Sequence, residues 1–307
     1  MRKLLTFSFL LFLLIGVGYY LANTKTTISS DSITLPSPTL GMKPSPPTNT
    51  PVPQAAGLEK VVQDSLKGTT GTYALVIKNY ETGQTYTLND HQKFESASLY
   101  KLWVMATVFD QIKQEKFEHT DVLTETIPRL NEIFGIDKEN AELTEGSISL
   151  TVDSALNQMI TISHNYAAML LSKKVGVSKV QAFLNDHGLT ESNTGKTGEA
   201  PTTTASDIAK FLDYLYNGKL ASMADTKAMI DLLKAQKLNS KIPAKLPKSV
   251  VIAHKTGELG TVSHDAAIIY STNGPYIFVM MSESKSPAGA VQRIADTSKA
   301  VYDYFEK

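Results

Sequence analysis

The 307-residue chain carries 30 lysines and arginines against 30 aspartates and glutamates, a balance that speaks against a nucleic-acid partner. It has no cysteine, which excludes disulfides, a thiolate nucleophile and a lipid-bearing cysteine. Its six histidines are scattered and no His-Glu-x-x-His segment occurs, so no metal or other cofactor is expected.

Arg2 and Lys3 precede an uncharged run from Leu4 to Ala22. That run is long enough to cross a bilayer as one helix, and the positive charges ahead of it stay cytoplasmic. Tyr20, Leu21 and Ala22 do not form a small-x-small cleavage site. Residues 1–22 therefore read as an uncleaved anchor, with secretion after cleavage as the alternative. Residues 23–56 hold "LPSPTLGMKPSPPTNTPVPQ", with seven of the thirteen prolines, which makes them a semi-extended spacer. The expectation is a monomeric domain, residues 57–307, held on the extracytoplasmic face of a membrane.

Within that domain the spacing predicts a short amphipathic helix from Leu58 to Leu66, then two strands within Tyr73 to Asn89 around a Glu81-Thr82-Gly83 turn. A helix is predicted from Ser98, with Leu99, Leu102, Trp103, Ala106, Phe109 and Ile112 on one stripe. The middle is read as helical, in four segments: "TVDSALNQMI", "NYAAMLLSKKV", "VSKVQAFLNDHG" and "TASDIAKFLDYLYNG". Strands return in "SVVIAHK", "SHDAAIIY" and "YIFVMM", and a helix closes the chain. Two early and three late strands around a helical block predict an α/β (α+β) fold: a mostly antiparallel five-stranded sheet with flanking helices, an all-helical lobe, and the active site between them.

Ser98 and Lys101 fall one turn apart on one helix face, where an amine can reach a hydroxyl. A serine is a nucleophile only when a base takes its proton, and a lysine can be that base only when its pKa is depressed. Free backbone N–H groups at a helix start also favour negative charge on a substrate carbonyl oxygen. The spacing alone is weak, since Ser282 and Lys285 repeat it. Ser163 and Asn165 interrupt an apolar helical block; they either cap the next helix or serve chemistry, the hydroxyl relaying a proton and the amide orienting a substrate amide.

The tetrapeptide Lys-Thr-Gly-Glu occurs twice. The copy at Lys196 has no strand before it and reads as a loop; a phosphate-loop reading fails because position 190 is Thr. The copy at Lys255 follows an apolar strand, and Gly257 there lets another backbone approach.

Taken in order, Ser98-x-x-Lys101, Ser163-x-Asn165 and Lys255-Thr256-Gly257 resemble the motif trio of the class A β-lactamase-like serine hydrolases, within the β-lactamase and penicillin-binding protein superfamily. The resemblance covers residues 57–307 and extends to Thr202-Thr203-Thr204 and "HDAAIIY". It implies Ser98 as the acylated nucleophile, Lys101 as its proton acceptor and Ser163 as the shuttle to the leaving nitrogen. It further implies Asn165 on the substrate amide, Lys255 and Thr256 on the substrate carboxylate, and the backbone N–H groups of Ser98 and Glu258 as the oxyanion hole. Lys255 is expected to be the cation that depresses Lys101.

Two departures bear on function. The family's deacylating Glu, followed four residues later by Asn, is not identifiable in "NDHGLTESNTGKTGEAPTTT", where Glu191 and Glu199 are the only acids near. No arginine follows on the next strand, where His264 is expected to stand instead. The resemblance implies a β-lactam or D-Ala-D-Ala-like small molecule as partner, and an acyl-enzyme that forms and persists. The alternatives are a penicillin-binding D-Ala-D-Ala peptidase of the cell wall and a sensor or wall-binding module without turnover.

Overall fold

The computed structural model describes residues 56–196 and 198–307. The anchor at 1–22 and the spacer at 23–56, except Ala56, lie outside the described residues. Among the described residues no helix is long and apolar enough to cross a membrane.

The two ends of the domain meet. Helix α1 (Ala56–Leu66) buries Leu58 and Val62, four residues apart on one face. Ser65 Oγ lies 3.0 Å from Thr297 Oγ1 of the last helix, and the Arg293 guanidinium bonds the Ser65 carbonyl. Strands β1 (Thr72–Asn79) and β2 (Thr85–Leu88) follow. Asn79 Oδ1 accepts the N–H groups of Glu81 and Thr82, both at 2.9 Å, and so closes the turn between them.

A two-residue strand β3 (Phe94–Glu95) and a 3-10 turn (Ala97–Tyr100) lead into α2 (Lys101–Lys113). This helix is buried almost all round, through Leu102, Trp103, Met105, Val108 and Phe109, because it runs through the middle of the second lobe. Around it lie β4 (Val122–Thr126), α3 (Ile127–Phe134), β5 (Ser147–Thr151), α4 (Val152–Thr161), α5 (Asn165–Val175), α6 (Val177–Asp186), β6 (Thr202–Thr203), α7 (Ala205–Tyr216) and α8 (Met223–Lys234). Thr151, Thr204 and Ser222 cap α4, α7 and α8 by accepting the N–H of the residue three positions on.

The chain returns through β7 (Val251–Leu259), β8 (Val262–Ser271) and β9 (Gly274–Glu283) to α9 (Pro287–Phe305). The sheet order is β2-β1-β9-β8-β7 with every pairing antiparallel, so the first and last segments of the domain form one five-stranded sheet. Leu75, Ile77, Phe278 and Met280 pack with Ile294, Val301 and Phe305 of α9 on one face. Ala74, Ala266, Ile268, Val279 and Met281 join the core of the helical lobe on the other.

The helical lobe carries two short antiparallel pairs that the sequence did not announce, β3 with β6 and β4 with β5. β4 alternates exposed and half-buried residues, and β3 and β6 are two residues long, so neither leaves an apolar run to read. Helices α3 and α8 were also missed.

Strand β7 is an edge strand and lies against the turn that carries Ser98. A Cβ on Gly257 would sit 3.1 Å from the Ser96 carbonyl oxygen and 3.3 Å from both Ala97 Cβ and Leu99 Cγ. Gly257→Ala should therefore push strand and turn apart and cost about 1–3 kcal/mol, as overpacking does. A lower melting temperature with an unchanged circular dichroism spectrum would bear this out; an unchanged melting temperature would refute it.

Candidate active site

The Ser98 turn is held in a conformation that the chain would not choose by itself. Ala97 has φ +45°, a left-handed value that costs an L residue about 1–2 kcal/mol. It is fixed from both sides: the Ser96 N–H donates to Pro201 O at 2.7 Å, and the Leu99 N–H to Ser96 O at 3.0 Å. The β3–β6 pair, Phe94 with Thr203 and Glu95 with Thr202, ties the same segment to the threonine run. Ser98 thus lies in a 3-10 turn before the α-helix. It is half-buried, and its hydroxyl has no hydrogen-bond partner among the described residues.

Lys101, first residue of α2, is fully buried. Its Nζ lies 2.7 Å from Ser163 O, 2.7 Å from Asn165 Oδ1 and 3.1 Å from Ser163 Oγ. Burial brings its pKa down to about 7, and the charge of Glu142 works in the opposite direction. As a neutral amine, Lys101 can donate to the two carbonyl-type oxygens and accept from the Ser163 hydroxyl.

Ser163 also has a positive φ, +58°. It stands at the corner between α4 and α5, and the side chain that caps α5 is that of His164, whose Nδ1 accepts the Ala167 N–H at 3.2 Å. Because His164 does the capping, Ser163 and Asn165 are left to face Lys101. Burial holds His164 below the ordinary histidine range.

Lys255 lies on β7, fully buried, with Nζ 3.0 Å from Ser163 Oγ and 2.8 Å from Thr256 O. Two amines thus share one hydroxyl. Burial first, and the Lys101 charge second, push Lys255 well below the ordinary lysine value. Burial is the first cause of the shift at both lysines, and two charged amines this close to one hydroxyl repel each other. The Thr256 hydroxyl has no hydrogen-bond partner among the described residues, and Glu258 is exposed at the strand end.

His264 does not take the place of an arginine. It is buried, its Nε2 donates to Glu95 O at 2.8 Å, and its Nδ1 accepts the Ser282 N–H at 3.2 Å. Burial lowers it to about 4, so it is neutral and structural. The additional cation here is Lys241, which sequence reasoning missed. It is fully buried, with Nζ 3.0 Å from His264 O, 3.3 Å from Gly257 O and 2.8 Å from a Glu258 carboxylate oxygen. The next residue is anchored from β8, since Asp265 Oδ2 accepts the Ile242 N–H at 3.0 Å.

Neither acid of the short loop enters this network. Glu191 pairs with His91 at 2.9 Å and accepts the Thr204 hydroxyl at 2.8 Å. Glu199 accepts the Lys196 N–H at 3.2 Å in a local turn, so the first Lys-Thr-Gly-Glu copy is a loop; its Thr197 lies outside the described residues. The carboxylate that does reach the site is Glu142, which accepts from Asn165 Nδ2 at 2.5 Å. Sequence reasoning missed it because "KENAELTEG" is a polar, irregular stretch with no spacing relation to the motifs.

This fold and this order of residues are those of the class A β-lactamase-like serine hydrolases. A model of the beta-lactamase enzyme family matches residues 57–305, and the chain belongs to that family. The chain is 24% identical to Beta-lactamase VEB-1 of Pseudomonas aeruginosa over 283 residues, 82% of this chain and 91% of that protein. Among solved structures it is similar to PBP-A, with a TM-score of 0.72, 22% identity, and coverage of 84% of this chain and 99% of that one. A mutant of PBP-A, solved as an acyl-enzyme complex with penicillin G, is similar with a TM-score of 0.70 and 23% identity over 81% of this chain and 96% of that one.

Burial lowers both lysines, so above about pH 7 the unfolded chain binds more protons than the folded one. Stability should then rise with pH up to the ordinary lysine value. Scanning calorimetry should give a higher melting temperature at about pH 9 than at about pH 7, with part of the increment lost in Lys101→Met. An undiminished increment in the variant would exclude Lys101 as a source.

Proposed function

We propose that this protein is a serine hydrolase that forms an acyl-enzyme on Ser98 with β-lactams or related amides and releases it slowly. The observation that carries the reading is the buried Lys101, brought to about 7 and bonded to Ser163 and Asn165, at the start of the helix that follows the turn with the unpartnered Ser98 hydroxyl. A lysine at that value spends much of its time as a free base at neutral pH.

In this reading neutral Lys101 takes the Ser98 proton as Oγ attacks the substrate carbonyl carbon. The oxyanion is met by the backbone N–H groups of Ser98 and Glu258. The proton then passes through the Ser163 hydroxyl to the substrate nitrogen, and the C–N bond breaks to leave the ester on Ser98. Lys255 and Thr256 hold the substrate carboxylate, and Asn165 holds the amide of its acyl side chain. Lys241 supports the strand end, because the Gly257 carbonyl that it bonds belongs to the same peptide group as the Glu258 N–H.

Release needs a water activated by a base, and a missing general base costs roughly 10² to 10⁴ in rate. Glu191 is engaged by His91 and Thr204, and Glu199 by its own turn, which favours a long-lived acyl-enzyme. A cell-wall peptidase trapped by penicillin would share the same first half. The anchor at 1–22 and the spacer at 23–56 would hold the domain on the extracytoplasmic face of a membrane.

The test uses the full-length chain with a fluorescent penicillin and a chromogenic cephalosporin, beside Ser98→Ala. One equivalent of label and a burst followed by slow turnover, both lost in Ser98→Ala, are expected. Rapid sustained turnover would overturn the slow release, and absence of Ser98-dependent label would overturn acylation. The acylation rate should rise with pH through about 7, as Lys101 becomes neutral. Lys101→Ala should lose about 10² to 10⁴ of it.

A further inference from the structure

Glu142 is an acid at the working end of the cleft with no counter-ion. Among the described residues it makes no ion pair, and its one partner in the site is the Asn165 amide, at 2.5 Å. The side chain is exposed, yet the backbone beside it is fixed. The hydroxyl of buried Tyr166 lies 2.9 Å from both the N–H and the carbonyl oxygen of Leu143, and Asn131 Nδ2 donates to that same carbonyl at 2.8 Å. Tyr166 follows Asn165 directly, so the residue that holds the loop and the amide that Glu142 touches are neighbours on α5. The carboxylate is thereby kept at the Asn165 amide.

The Asn165 amide is divided between two partners. Its oxygen accepts from Lys101 and one of its N–H groups is taken by Glu142, which leaves a single N–H for a substrate carbonyl. An acyl side chain bound at that N–H lies beside a carboxylate, which only accepts hydrogen bonds and attracts positive charge. At the other end of the site stand Lys255 and Lys241, both fully buried amines. The site therefore offers buried amines to a carboxylate where the leaving group sits and a carboxylate where the acyl side chain sits.

We propose, building on the acylation reading above, that Glu142 selects zwitterionic substrates: a carboxylate on the leaving-group side and an ammonium on the acyl side chain next to the scissile carbonyl. An exposed ion pair changes affinity by up to about fivefold. A carboxylate in the same place suffers the reverse, so the two charges should be separated by about 10-fold.

The test measures second-order rate constants for Ser98 acylation of the full-length chain by three penicillins. They share a phenylacetyl side chain whose α-carbon bears hydrogen, an ammonium or a carboxylate. The wild type should favour the ammonium over the carboxylate by about 10-fold, with hydrogen between, relative to Glu142→Gln, a ratio from which the intrinsic reactivities cancel. Glu142→Lys should invert the order, and raising the salt should shrink the separation. The same order and spread in Glu142→Gln would overturn the proposal. Equilibrium binding of the three compounds to Ser98→Ala, alone and combined with Glu142→Gln, needs no chemistry. If no compound labels Ser98, the acylation reading fails, and this binding series then decides for Glu142: charge-ordered binding that Glu142→Gln levels supports the proposal, and charge-independent binding overturns it.

Discussion

The structure depends on keeping one lysine out of water. An ammonium is among the costliest groups to bury, and Lys101 is buried completely at the head of the helix that forms the centre of the second lobe. Three oxygens make that tolerable, and all three come from Ser163 and Asn165, at the corner between α4 and α5. The corner has to turn through a left-handed serine to aim them inward, and a histidine takes over the capping that either residue could have done. Local strain and cap are in this sense consequences of the lysine.

The sheet edge answers the same constraint from the other side. Lys255 brings a second buried amine to the same serine hydroxyl, which is possible because β7 approaches the Ser98 turn through a residue with no side chain. The carbonyl of that residue, Gly257, is bonded by Lys241, and Asp265 on β8 holds the backbone next to Lys241. Lobe and sheet are thus connected through buried polar groups as well as apolar ones. A half-satisfied polar network would be worse than an apolar contact, so the completeness of these bonds matters more than their number.

Much of this was legible in the sequence where a residue's role is tied to an element's period. The long buried strands, the apolar stripe after Ser98 and the three motifs could all be read, because each sits at the end of a segment whose hydrophobic pattern is strong. The short pairs β3–β6 and β4–β5 have no such pattern, and helix α8 was hidden by an interleaving of charges. The site residues that were missed share a cause. Glu142 and Lys241 lie in irregular segments and reach the site only through tertiary contacts, with Tyr166 and Asn131 on one and Asp265 beside the other. His264 was misjudged for the opposite reason: its register was readable, but the carbonyl and amide that consume both ring nitrogens were not.

The threonine run ties the Ser98 turn and a nearby acid to one stretch of chain. Thr202 and Thr203 pair with β3 and, with Pro201, hold the turn beneath Ser98, while Thr204 caps α7 and bonds Glu191. Glu191 is drawn outward, to His91 on the segment before β3. The short loop and the run thus brace the Ser98 turn with the same stretch of chain that keeps Glu191 engaged elsewhere. Lengthening the loop to bring a carboxylate inward would have to preserve the Ser96–Pro201 bond and the β3–β6 register, since the left-handed Ala97 is stable only while both persist. The position of the Ser98 turn and the position of the nearest loop carboxylate thus depend on one stretch of chain, which holds the turn through Pro201 and β6 while Glu191 stays with His91 and Thr204.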